Sequence, residues 1–245
     1  MDHRSEYVAR INRVIDHIET HLHEELTLER LSGVACFSPY HFHRIFSAMM
    51  GETLQRFVQR LRLERAATQL EAHPARSVTE LALDNGFSRS AVFARAFRQS
   101  FGMSASDWRK TSKTDRKESK SLRNQGKEGV GAAAYVGGEE RRSSMTQLET
   151  NVTVKKLPPA RVAYVRHVGP YQGDSALFGR LFAQLGAWAG PRGLIGPEPD
   201  FRCVYHDNPE VTEPGKLRTS VCLVVGDDGE VSGEVGAMTI PGGSY

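Results

Sequence analysis

Two stretches of the 245-residue chain set hydrogen-bond donors around aromatic residues four apart: CFSPYHFHRIF at 36–46 and DNGFSRSAVFARAF at 84–97. On a helix, residues at that spacing share a face, so Phe42 with Phe46, and Phe93 with Phe97, must turn to one buried side. The residues at the start of each helix and between the aromatics are then pushed outward: Tyr40, His43 and Arg44 in the first copy, Arg89, Ser90, Val92 and Arg95 in the second. Ser38, where the first of these helices begins, is counted with them. Such side chains, at the N-terminal end of a helix narrow enough for the major groove, suit hydrogen bonding to base edges and phosphates. No GxSxG, HExxH, P-loop or dinucleotide fingerprint occurs, and the chain reads as a binder of double-stranded DNA rather than an enzyme.

The elements that would hold these residues are legible in the apolar spacing. Ile11, Val14, Ile15, Ile18 and Leu22 recur at helical intervals and predict a first helix over 6–22. Thr27 caps a second helix carrying Leu28, Leu31 and Ala35, and Ser38 followed by Pro39 opens a third that ends before Gly51. The stripe Leu54, Phe57, Val58, Leu61, Ala66, Ala67 and Leu70 predicts a longer helix closed by His73-Pro74. The pattern then repeats. Ser77-Val78-Thr79-Glu80 is a capping box, Gly86 takes the left-handed position after that helix, and Ser88 is expected to cap the next. Ser104 to Trp108 reads as a final helical turn.

Aligning Ser38 with Ser88 puts Leu28 on Val78, Leu31 on Leu81, Ser32 on Ala82 and Phe37 on Phe87. Each copy is thus a short helix, a turn and an outward-reading helix, which is a helix-turn-helix. A helical solenoid is the alternative, but solenoids need three or more repeats to bury their faces, and the chain offers two. The helix from Leu54 to Leu70 is about 25 Å long at 1.5 Å per residue and joins the copies rigidly. With the units' own width added, their reading helices come to lie about 34 Å apart, one turn of duplex.

Composition agrees with an anionic partner without demanding one. Residues 1–110 hold 15 Lys+Arg against 13 Asp+Glu, 111–148 hold 8 against 5, and 149–245 hold 9 against 11, so the basic excess stops near 148. Cys36, Cys203 and Cys222 are odd in number and widely spaced, with no CxxC pair, and read as reduced packing residues in a cytoplasmic protein. His17 and His21 lie four apart but lack a third ligand, so no metal site is assigned, and no cofactor or membrane partner is expected. Residues 111–148 carry scarcely an apolar side chain and predict a flexible linker, 38 residues long, that argues against tight mechanical coupling across it. Beyond it the period falls toward 2: VTVKKL, RVAYVRHV, FRCVYH, LRTSVCLVV and EVGAMTI are candidate strands, with one amphipathic helix over 175–188. The fold class expected is an all-α N-terminal domain, 1–110, followed by an α+β domain, 149–245.

RLRLERAATQL (60–70), GFS (86–88) and FARAFRQSFGMS (93–104) resemble the DNA-binding domain of AraC/XylS transcription regulators, over about residues 8–110. That resemblance implies base contacts from Tyr40, His43 and Arg44 and from Ser90, Ala91, Val92 and Arg95. Ala91 and Val92 stand where polar readers are frequent, so the second unit reads thymine methyls or mostly grips phosphates. The family's frequent Ser-Pro-x-x-Tyr-Arg ending is replaced by Ser104-Ala105-Ser106-Asp107-Trp108-Arg109.

KKLPPARVAYVRHVGPY (155–171) and YHDNPEVT (205–212) resemble the GyrI-like effector-binding domain, built in that family from two strand-helix-strand-strand repeats around a pocket for small lipophilic or cationic compounds. The joint arrangement is that of Rob-like regulators. MTIPGGSY weakly echoes the opening of a second repeat, which implies a truncated domain, the second repeat missing, with an unpaired sheet edge and exposed apolar surface. Tyr171, Phe182, Trp188 and Tyr205 are the candidate lining of an effector pocket. RNA polymerase is a possible further partner, and the alternative function is a DNA-anchored module whose C-terminal domain binds another protein.

Overall fold

The computed structural model describes residues 3–111, 154–226 and 231–244. Seven helices come first: α1 (His3–Thr20), α2 (Leu28–Val34), α3 (Pro39–Met50), α4 (Leu54–Ala72), α5 (Val78–Asp84), α6 (Ser90–Phe101) and α7 (Ala105–Lys110). The expected linker, Thr111 apart, lies outside the described residues. The second part contains β1 (Lys156–Leu157), β2 (Ala160–Val168), α8 (Ser175–Ala189), β3 (Phe201–Tyr205), β4 (Arg218–Val224), β5 (Gly236–Ile240) and β6 (Gly243–Ser244). An all-α part is therefore followed by an α+β part.

The helix ends follow from local chemistry. Thr27, Ser38, Thr53, Ser77 and Ser104 each accept a backbone N–H from the first turn of the helix they precede. Ser77 and Glu80 satisfy each other's backbone donors as a capping box. Gly51 and Gly102 end α3 and α6 in the left-handed conformation. One expectation fails. Ser88 does not cap α6, because the turn before it holds an extra residue and the cap position falls on Arg89, which makes no capping bond. Ser38 is followed by Pro39, whose ring fixes the first helical residue, whereas Ser88 is followed by arginine and the helix starts later.

Two cores sit side by side, and α4 belongs to both. Its N-terminal half gives Leu54, Phe57, Val58 and Leu61 to a cluster with Ile11, Ile15, Ile18, Leu31, Phe42 and Phe46. Its C-terminal half gives Leu63, Ala66, Ala67 and Leu70 to a cluster with Leu81, Phe93, Phe97 and Trp108. At 19 residues, about 28 Å, α4 is a strut anchored at each end by burial rather than by propensity.

In the second part an antiparallel sheet runs in the order β3-β4-β2-β5, and β1 pairs with β6. One face, carrying Ala163, Val165, Val221 and Leu223, packs on Leu177, Leu181 and Leu185 of α8. The alternation of a strand sends their neighbours to the opposite face: Tyr164 opposes Cys222 and Arg166 opposes Ser220. That opposite face meets the helical half. The Tyr164 hydroxyl donates to Asp16 at 2.6 Å, Arg166 donates to Asp16 at 2.8 Å, and Arg218 Nη1 lies 2.7 Å from Glu19. The loose coupling expected from a long linker is thus corrected: whatever the connecting chain does, the two halves share a seam of buried charge.

Candidate nucleic-acid interface

The buried aromatic pairs position the outward residues. Phe42 and Phe46 have no exposed surface, with centroids 5.6 Å apart, and Phe93 and Phe97 repeat the arrangement at 5.3 Å. On the other sides of these helices Ser38, Tyr40, His43 and Arg44, and Arg89, Ser90, Ala91, Val92 and Arg95, are all exposed. Tyr40 is 75% exposed and Val92 52%, both far beyond what packing requires of an apolar group. The Arg44 guanidinium lies 5.8 Å from the Tyr40 ring centroid, close enough for a cation–π contact to steady both.

Pairing distinguishes these arginines from several others of the helical half. Arg10 is held by Glu6, Arg60 by Glu52 and Glu64, and Arg76 by Asp84. Among the described residues, Arg44 on α3, Arg89 just before α6, and Arg95 and Arg98 on α6 have no carboxylate partner, leaving four cations on or beside the two reading helices available to an anionic ligand. Between those helices lies a cleft of about 1060 Å³, bordered by His43 of α3, Val92 of α6, and Gln55, Gln59 and Arg62 of α4.

The spacing pattern did not reveal what fixes one unit against the other. Arg62 donates from Nε to the Leu22 carbonyl at 2.9 Å and from Nη2 to the Glu24 carbonyl at 2.6 Å, tying α4 to the chain between α1 and α2. Gly86 packs on the same spot: a Cβ there would lie 2.5 Å from Leu22 O and 2.8 Å from the Arg62 guanidinium. With φ at +78°, Gly86 is required twice over, for its conformation and for the close approach. A guanidinium between buried Leu61 and Leu63 was the signal available. Asn85, fully buried, donates to Gln69 and to the Leu81 carbonyl, holding the second turn on α4.

The second candidate site is only partly assembled. Tyr171 and Tyr205 come together at 5.3 Å, with Phe178, not singled out before, beside both. Phe182 meets Phe201 at 5.6 Å, while Trp188 is covered by Arg192 instead. Tyr171 is buried within the α8 core, whereas Phe182, Phe201 and Tyr205 keep open surface. The outcome is an aromatic strip along α8 and the β3 edge, with Trp188 outside those ring pairs. Cys203, on the same edge, is exposed, and Cys222 is buried, which pushes its thiol up to about 12. No helix among the described residues is long and apolar enough to cross a membrane.

A helix-turn-helix domain model matches residues 31–111, and the model of a GyrI-like small molecule binding domain matches residues 150–245. The chain is 38% identical over 89 residues to an uncharacterised HTH-type transcriptional regulator of Staphylococcus aureus, an alignment covering 36% of this chain and 12% of that protein. It is 36% identical over 105 residues to the XylDLEGF operon transcriptional activator 3 of Pseudomonas putida, covering 42% of this chain and 32% of that one. The chain therefore spans no more than about a third of the length of these curated relatives. Among solved structures, the DNA-binding domain of AdpA, a global transcriptional factor in complex with a target DNA, is 28% identical, with a TM-score of 0.40, over 44% of this chain and 96% of that one.

Proposed function

Since the chain joins an AraC-type helix-turn-helix domain to a GyrI-like small molecule binding domain, we propose that it is a transcription regulator whose α3 and α6 read one DNA duplex in successive major grooves. One observation carries this reading: two helices, braced by one strut, present exposed donors on equivalent faces, and Arg44, Arg89, Arg95 and Arg98, on or beside them, have no carboxylate partner among the described residues. In this reading Tyr40, His43 and Arg44 supply base contacts, with Ser38 at the α3 N-terminus close to the backbone. Arg89, Ser90 and Arg95 grip phosphates or bases, and Ala91 with Val92 offers apolar contact to thymine methyls. A small lipophilic or cationic compound is taken by the aromatic strip of Tyr171, Phe182 and Tyr205, with Trp188 at its border.

Selection of bound duplexes from a random pool with the full chain tests the proposal. Two half-sites about one helical turn apart are expected among the survivors. A pool that shows no enrichment, or retention that falls with salt and carries no sequence, would count against it. Adding lipophilic cations during the selection then asks whether the second domain responds.

A further inference from the structure

The seam between the halves contains more buried charge than a passive contact needs. The Arg166 side chain is 1% exposed and Arg218 is 1% exposed, both on the sheet face away from α8. Arg218 is held twice: Asp207 accepts from its Nε at 2.9 Å and its Nη2 at 2.6 Å, and Glu19 of α1 faces its Nη1. His206 lies 3.4 Å from the same Glu19 and 2.9 Å from Ser220. Burial alone would push the Glu19 carboxyl upward, but Arg218, then His206 and Arg166, outweigh it and hold it well below the ordinary carboxylate range. Without α1, Arg166 would be buried without Asp16 and Glu19, and Arg218 would lose Glu19 while keeping Asp207, with Glu64 of α4 also near it.

The chain from His206 to Arg218, the first residue of β4, extends this contact across both reading units. Arg218 lies over the Phe57 ring of α4 at 5.4 Å, Lys216 reaches Glu52 at 3.9 Å, and Val211 sits inside the second unit's core cluster. One short segment therefore touches the first unit, the strut and the second unit. It does so from behind. Phe57, Arg60 and Glu64 form the α4 face toward the seam, while Gln55, Gln59 and Arg62 form the opposite face, toward the cleft between the readers.

Building on the DNA-reading function above, we propose that Asp16, Glu19, Arg166, Arg218 and Asp207 form an interdomain clasp through which the C-terminal domain fixes the angle between the two reading units. They are positioning residues, touching no DNA. The clasp also gives the aromatic strip a route to the readers: Tyr205, its ring tilted against that of Tyr171, is followed directly in the chain by His206 and Asp207. A compound that displaces Tyr205 acts on the clasp and changes how well both units fit one duplex.

The test uses the full chain, the double variant D16N/E19Q, and the duplex selected with the wild-type chain. Affinity is measured for that duplex, for the same duplex with one base pair inserted between its half-sites, and for a single half-site, alongside hydrogen exchange of α1 and residues 206–217. The variant is expected to exchange faster in both segments, to keep its single-half-site affinity, and to lose roughly tenfold of its preference for the native spacing, within the range of site-to-site couplings. A variant that keeps the wild-type spacing preference overturns the clasp. E19Q alone, the milder change, carries the same comparison if the double variant does not fold. A wild-type chain that prefers no duplex would remove the DNA-reading function itself, and the clasp with it, before any variant is compared.

Discussion

In the first helix-turn-helix unit, α3 enters through Ser38 and Pro39, and the serine hydroxyl accepts the His41 N–H. In the second, α6 enters through Arg89 with no side-chain cap, after a turn one residue longer. Both helices then run twelve residues, bury phenylalanines four apart and end on a left-handed glycine. The scaffold is held constant while the exposed surface is free to differ: tyrosine, histidine and arginine on α3, against serine, alanine, valine and arginine on α6. Packing fixes where a reading residue points, and leaves its chemistry open.

If the scaffolds are equivalent, damage to either core should be equally severe. Phe46→Ala and Phe97→Ala are each expected to cost about 3–5 kcal/mol, read by chemical denaturation, since both rings are fully buried. A large inequality would break the comparison. Two glycines at different places in the units, Gly51 after α3 and Gly86 before α6, should differ in cost. Gly51→Ala meets open space and pays only for its left-handed backbone, about 1–2 kcal/mol. The second turn's Gly86→Ala adds the overlap with Leu22 O and Arg62, roughly 1–3 kcal/mol more.

The reading surfaces should diverge in DNA binding. Arg44→Ala is expected to lose about 1–3 kcal/mol on the selected site and to relax preference at one base pair. Equal loss on every sequence would make Arg44 a phosphate contact. Val92→Ala should cost less and be felt only where a thymine methyl faces it. The smallest effects lie at the caps. Ser38→Ala should destabilise by about 1 kcal/mol, whereas Arg89→Ser supplies the cap that α6 lacks and should gain up to about 1 kcal/mol in thermal unfolding.

What the sequence revealed was local, and what it concealed was not. Thr27, Ser38, the Ser77–Glu80 box and Gly86 announce themselves within a few residues, because caps and turns are satisfied by their neighbours. Arg166, in RVAYVRHV, reads as an ordinary outward residue of a strand. Only its meeting with Asp16, 150 residues earlier, shows why it is buried. Arg62 and Gly86 likewise become legible together, once Leu22 O lies between them. The one-residue difference between the turns escaped the alignment because Phe37 and Phe87 match at one offset and Phe42 and Phe93 at the next. Of the aromatic rings that meet along α8 and β3, sequence patterning marks Tyr171, Phe182 and Tyr205, whereas their ring partners Phe178 and Phe201 occupy positions that helix and strand patterning treats as unremarkable.

That both units read one duplex at once is tested most directly by hydroxyl-radical footprinting of the full chain on its selected site. Two protected tracts on one face of the DNA, centred about ten base pairs apart, are the result expected. A single tract, unaffected when Arg95 and Arg89 are both replaced by alanine, would show that only α3 engages the DNA and would contradict the paired reading.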